Sequence, residues 1–349
     1  LPAPRDGGKI PFVVEPGLTM WSQILGFDLV DYWRDPLTFA TAQLEMKVYH
    51  AQHFEDDTYI DKSFRLLYAM LLEGSVLGVP YGFTPEGYPW IDYTKPSVHE
   101  EEDLIALPAP DFFGGGVMPE IHRLYAEMRD ILDDDFLVKF PDWIMGPFGV
   151  ACQLRGFDQI LMDLVLNPDF AERILRFVMV ARRSWQRECD RFLGRQRTRG
   201  ILGNDDVNCP TMSPSHYRER LRPLEIELSE GYGGISYWHS CGDTTRLLDD
   251  VARIPNLDLF HCGPWTDVAS ACRTMGKEGI AVEICIEPVD KVQRASLAAQ
   301  KRYLEETVAQ IPGNTACYIK VDSLEVIRDL PTELEAIQSW LRVARTVLG

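Results

Sequence analysis

The sequence predicts an α/β protein of the (β/α)8 TIM-barrel class with an N-terminal helical extension. Three observations lead there. From about Leu137 onward, short β-branched or apolar runs alternate with helical segments, the order that builds a parallel sheet with crossover helices. The length of 349 residues fits one barrel of roughly 250 residues with additions. Polar, chemistry-bearing residues recur at the ends of successive predicted strands, where such barrels gather their active sites.

In the first hundred residues, Asp35-Pro36 opens an apolar helical run to His53, and a Gly, Pro and aromatic-rich stretch follows from Leu77 to Asp92. Residues 1–55 are therefore expected to form the helical extension and 56–349 the barrel of a single domain. The predicted strands are Leu137 to Met145, Gly200 to Gly203, Gly234 to Trp238, Leu257 to His261, Ile280 to Ile286 and Ala316 to Val321. Between them, amphipathic spacing predicts helices over Asp158 to Leu193, Pro214 to Glu230, Thr244 to Ile254 and Lys291 to Gln310. Pro168-Asp169-Phe170 and Ser213-Pro214-Ser215 have the composition of helix starts, and Leu330 to Leu348 closes the chain as a helix. The acidic runs His99 to Asp103 and Asp133 to Asp135 suit solvated loops or helix starts, because like charges prefer water.

Composition narrows the function. Hydrophobic residues make up 46% and charged residues 25%, and no apolar run reaches the roughly 20 residues a bilayer crossing needs. No membrane span is expected. A formal charge of −18 repels phosphate backbones, so nucleic acid is not an expected partner. The eight cysteines, all from Cys152 onward, are scattered in a large chain, which reads as reduced thiols. The N-terminal residues Leu1 to Lys9 lack an initiator Met, a secretory pattern and a lipidation box, so a cytoplasmic protein is expected.

Strand ends carry the chemistry. Asn204-Asp205-Asp206 follows one predicted strand, His239-Ser240-Cys241 the next, His261-Cys262 the next, then Cys285-Ile286-Glu287. His239 and Cys241 stand two apart, so their side chains share a face and can grip one ion. A third ligand must come from another strand: Cys317 on the last one, with Cys262 and Cys285 as alternatives. Two thiolates and an imidazole suit Zn²⁺, leaving one tetrahedral position for a reactant. Asp205, Asp206 and Glu287 are candidates for proton handling or for orienting the metal ligands. Trp21, Tyr81 and Trp90, among other aromatics, could line a substrate pocket, with His261 as a polar group at its mouth. Asp243 could instead cap the following helix.

At these residues the sequence resembles the uroporphyrinogen decarboxylase superfamily, and more closely its corrinoid-dependent methyltransferase branch. The likeness covers Gly146-Pro147-Phe148 with Leu154-Arg155-Gly156, Asp205-Asp206 with Met212-Ser213-Pro214, His239-Ser240-Cys241-Gly242, Glu287-Pro288, and Cys317. The resemblance implies a barrel enzyme holding zinc through His239, Cys241 and Cys317. It also implies methyl transfer between a small thiol or methoxy-aromatic compound and the cobalt of cobalamin. The family's decarboxylase binds its polycarboxylate through an Arg-bearing N-terminal stretch, and the matching Glu15 to Gln23 contains no Arg. No Asp-x-His-x-x-Gly corrinoid signature is present, so the cobalamin is expected on a separate corrinoid protein. A metal-free lyase or decarboxylase and a non-catalytic ligand-binding barrel are the competing expectations. The sequence leaves a homodimer open.

Overall fold

A computed structural model of the protein describes residues 9–66, 68, 71–84 and 87–349. Leu1–Gly8 of the expected extension, and residues 85 and 86 of the aromatic-rich stretch, lie outside the described residues. The chain divides into two compact units: Leu1–Lys62, Asp243–Leu248 and Leu259–Gly349 form one, Ser63–Gly242 and Asp249–Asp258 the other. The fold is α/β, as the alternation predicts, and among the described residues eight strands pair in parallel, four in each unit.

In the first unit the strands lie in the order Phe12–Pro16, Cys317–Leu324, Ala281–Ile286, Leu259–Cys262. Ala281–Ile286 is buried along almost its whole length, as a strand covered on both faces must be. Its register aligns His261 with Glu283 and Glu283 with Tyr318, while Phe260, Val282 and Cys317 align one residue earlier. Since alternate residues point to opposite faces, Cys317 stands on the face opposite to His261, Glu283 and Tyr318. Helices cover these strands and start at polar caps. Asp35 accepts from the Thr38 amide at 2.6 Å ahead of Pro36–His53, and Asp329 accepts from the Thr332 amide at 2.9 Å ahead of Leu330–Leu348. Each cap contributes about 1 kcal/mol.

The expected helical extension contains a strand, Phe12–Pro16, paired beside the last strand of the chain. Flanking Pro11 and Pro16 hide it, because proline removes ladder donors and ordinarily marks a non-strand segment.

In the second unit Gly200–Gly203 pairs with Ile235–His239, placing Gly203 beside His239, and Ser63–Arg65 pairs with Leu137–Lys139. The strand expected from Leu137 to Met145 is interrupted after Lys139 and resumes only as a bridge from Met145 to Gly203. Pro141, without an N–H, sits in the gap. The 26-residue helix Pro168–Leu193 buries Ala171, Ile174, Leu175, Val178 and Met179, a stripe at helical spacing. It ends at Gly194, whose φ of 63° is the left-handed conformation that glycine adopts without strain. Arg182, on the same stripe, is almost fully buried. Its guanidinium donates to the carbonyls of Met145, Trp143 and Ile201 at 2.9–3.0 Å. Those bonds offset the cost of burying the charge and fix the strand edges around Gly146. Among the described residues no helix is long and apolar enough to cross a membrane.

Candidate metal and catalytic site

The second unit brings Asp205, His239 and Cys241 together. The pairing of Gly203 with His239, and the bond from the Asn204 amide to the His239 carbonyl at 2.7 Å, set the two strand ends level. The chain beyond each strand then delivers its side chain. His239 Nε2 lies 3.2 Å from Cys241 Sγ and 3.2 Å from Asp205 Oδ1. Asp205 Oδ1 also accepts from the Cys241 amide at 3.0 Å, and Tyr237 Oη lies 3.1 Å from His239 Nδ1, fixing the ring's orientation.

The charges couple. Burial works against an imidazolium, yet the Asp205 carboxylate and the Cys241 sulfur outweigh it and raise His239 to about 10. Burial would likewise raise Asp205, but hydrogen bonds from His239 and Cys241 hold it at about 2. Burial and the neighbouring Asp205 charge lift Asp206 to about 6. A setting that favours an imidazolium so strongly favours a metal cation among the same donors. The nitrogen and sulfur are spaced close to the roughly 3.5 Å that two ligands of a tetrahedral Zn²⁺ keep. With Asp205 the set is one nitrogen, one sulfur and one oxygen, all donors zinc accepts.

A residue absent from the sequence reading holds this arrangement from behind. Glu225, fully buried, accepts from Asn204 Nδ2 at 2.9 Å, Trp238 Nε1 at 3.0 Å and Tyr217 Oη at 2.7 Å. Asn204 directly precedes Asp205 and Trp238 directly precedes His239, so one carboxyl ties both ligand-bearing strand ends. Burial raises Glu225 to about 7 against the hydrogen bonds that oppose it. Its signal in the sequence is a charge on an apolar stripe, between Leu221, Leu224 and Leu228. Glu73 acts similarly: its buried Oε1 accepts the Ile144 and Met145 amides at 2.6 and 2.9 Å, fixing the backbone ahead of Gly146.

The other expected residues have varied settings. Glu287 spends its oxygens on the amides of Val289 and Asp290, at 2.9 and 2.6 Å, starting the turn after its strand. In the first unit, His261 Nδ1 lies 2.6 Å from Glu283 Oε1, and Tyr318 Oη donates to Glu283 Oε2; all three side chains are buried. Cys317 is the first residue of its strand, fully buried, with its thiol interacting electrostatically with that of Cys272. The structure therefore does not bring Cys317 to the face that carries His261. Of the two alternatives, Cys262 shares the face of Cys317, and Cys285 shares that of Glu283.

Trp21 packs edge-on to Tyr49 and beside His50 and Phe54 in the first unit. Tyr81 and Trp90 lie on a short antiparallel hairpin of the second unit, each more than two-fifths exposed, with the Trp90 ring tilted against that of Tyr93 at 5.8 Å. Asp243 accepts from the Thr245 amide at 2.9 Å, a bond within the turn ahead of the short helix whose N-cap is Thr244.

No protein-family model matches the sequence, and a comparison with curated proteins finds no match. Among solved structures the chain is similar to a methyltransferase from Methanosarcina mazei, with a TM-score of 0.69 and 13% identity. The alignment covers 98% of this chain and 95% of that one. At that identity the likeness is one of fold, extending over the whole chain.

Proposed function

We propose that the protein is a zinc-dependent methyltransferase that moves a methyl group between a small thiol or methoxy-aromatic compound and the cobalt of a separate corrinoid protein. The observation that carries this reading is the convergence of His239 Nε2, Cys241 Sγ and Asp205 Oδ1 at the ends of two paired strands. The fold-level likeness to a protein described as a methyltransferase supports it.

His239, Cys241 and Asp205 would hold the ion, with Asp205 in the place expected of Cys317. A zinc ion there supplies a Lewis acid that lowers the pKa of a thiol or draws charge from an ether oxygen. One thiolate and one carboxylate balance its two positive charges, as two thiolates would. Tyr237 holds the His239 ring, and Glu225 holds the strand ends, so the donors are placed before any ligand arrives. Asp206, next to Asp205, is the carboxyl placed to handle the proton of a group that must leave as a thiol or alcohol. A cobalamin-bearing partner would supply or receive the methyl group of the small substrate held here.

Metal analysis of protein purified without added zinc, combined with methyl-transfer assays using methylcobalamin and cob(I)alamin against thiols and aryl methyl ethers, tests this. Near-stoichiometric zinc and transfer to one substrate class are expected. Folded protein that carries no metal would overturn the reading in favour of a metal-free lyase using Asp206.

A further inference from the structure

The second unit contains a cavity of about 270 Å³ at the opposite end of strand Gly200–Gly203 from Asp205. Its charge runs against that of the chain. Arg65, Lys139, Arg195, Arg197 and Arg199 line it, opposed by the carboxylates of Asp142 and Asp190. Five cations face two anions in a protein whose formal charge is −18.

Three chain segments deliver these cations. Arg65 and Lys139 stand at the same level on two paired parallel strands. Arg195, Arg197 and Arg199 alternate along the connection between helix Pro168–Leu193 and strand Gly200–Gly203. Their spacing places alternate side chains of an extended segment on one side.

Two of the three arginines are partly committed. Arg197 pairs with Asp142, and Arg199 with Asp258 at 3.3 Å. Arg195 has no ion-pair partner among the described residues, and Arg197 Nε is enclosed with no hydrogen-bond partner. The buried Leu66, Tyr68 and Phe140 supply an apolar wall.

We propose that this cavity binds a small organic phosphate. Guanidinium groups match phosphate oxygens in pairs, and Arg195 with the enclosed Nε of Arg197 offers donors for them. The cavity is near the lower end of small-molecule sites, large enough for a short organic group beside the phosphate and against the apolar wall. The site is independent of the proposed methyl-transfer chemistry, which sits at the other strand end.

Calorimetric titration of the full chain with glycerol 3-phosphate, inorganic phosphate, succinate and sodium chloride at matched ionic strength tests the assignment. Saturable binding of glycerol 3-phosphate, tighter than inorganic phosphate, is expected. It should weaken about tenfold or more in Arg195→Ala, the loss of one charged hydrogen bond, and stay unchanged in Arg191→Ala. Arg195 is exposed, so its variant keeps the fold, and Arg197→Gln provides a second variant deeper in the wall. Several outcomes overturn the proposal: no saturable binding, an equal response to succinate or chloride, inorganic phosphate binding as tightly as the ester, or affinity undiminished in both cavity variants.

Discussion

Two histidines at strand ends, one in each unit, show how burial decides what a His–carboxylate pair does. His239 lies 3.2 Å from Asp205 and His261 lies 2.6 Å from Glu283. The first pair is partly open, with side-chain exposures of 20% and 45%, and it shares a thiol. The second is at 0% on both sides and closed by the Tyr318 hydroxyl. A half-exposed pair beside a sulfur can exchange its proton for a metal and admit a reactant. A fully enclosed pair with a third hydrogen-bonding neighbour serves first as an internal brace, because opening it leaves polar atoms unsatisfied in the core.

The largest effects should separate the two pairs. His239→Ala or Cys241→Ser is expected to lose bound zinc and lower methyl transfer on the order of a thousandfold, with little change in thermal stability. Metal content and turnover, measured on the same preparation, check this, and zinc retained in both variants breaks the comparison at the open pair. Glu283→Ala should behave inversely. It removes the acceptor of both His261 and Tyr318 and should cost about 3 kcal/mol or more in denaturant unfolding. Unfolding curves unmoved by that substitution would show that burial is not what distinguishes the pairs.

The open pair was legible in the sequence and the enclosed one was not, for a physical reason. A His-x-Cys at a strand end can be read from period-two geometry alone, and the register confirms the common level of Gly203 and His239. Strand register is a long-range property. The alignment of His261, Glu283 and Tyr318, the turn of Cys317 to the other face, and the return of Phe12–Pro16 beside the last strand depend on pairings more than twenty residues apart in sequence. Glu225 was hidden because a helix carrying mostly apolar residues inward also tolerates one carboxyl there when three donors await it.

Glu225 makes the next prediction, a pH dependence. Its carboxyl is raised to about 7 in the fold, from an ordinary value of 4.5. Between those values the folded chain keeps the proton and the unfolded chain gives it up, so stability from this group is full below about pH 4.5 and is lost as pH rises through 7. The difference amounts to about 3 kcal/mol. Glu225→Gln cannot ionise and should flatten that slope between pH 5 and 7.5, as read by thermal unfolding. A slope unchanged in the variant would place the proton elsewhere, and with it the claim that the open pair is braced through Asn204 and Trp238.

The smallest effect belongs to Cys317. Had it been a ligand, Cys317→Ala would release zinc as completely as Cys241→Ser. Its side chain instead stands on the face of Phe260 and Val282, so the variant should keep its zinc and lose only about 1 kcal/mol of packing. Asp205→Ala is the companion measurement, since a carboxylate ligand predicts weakened zinc there while a merely orienting one predicts zinc retained with altered turnover. If Cys317→Ala loses the metal and Asp205→Ala does not, the third ligand is a thiolate, and the contrast between an open and an enclosed histidine no longer locates the reaction.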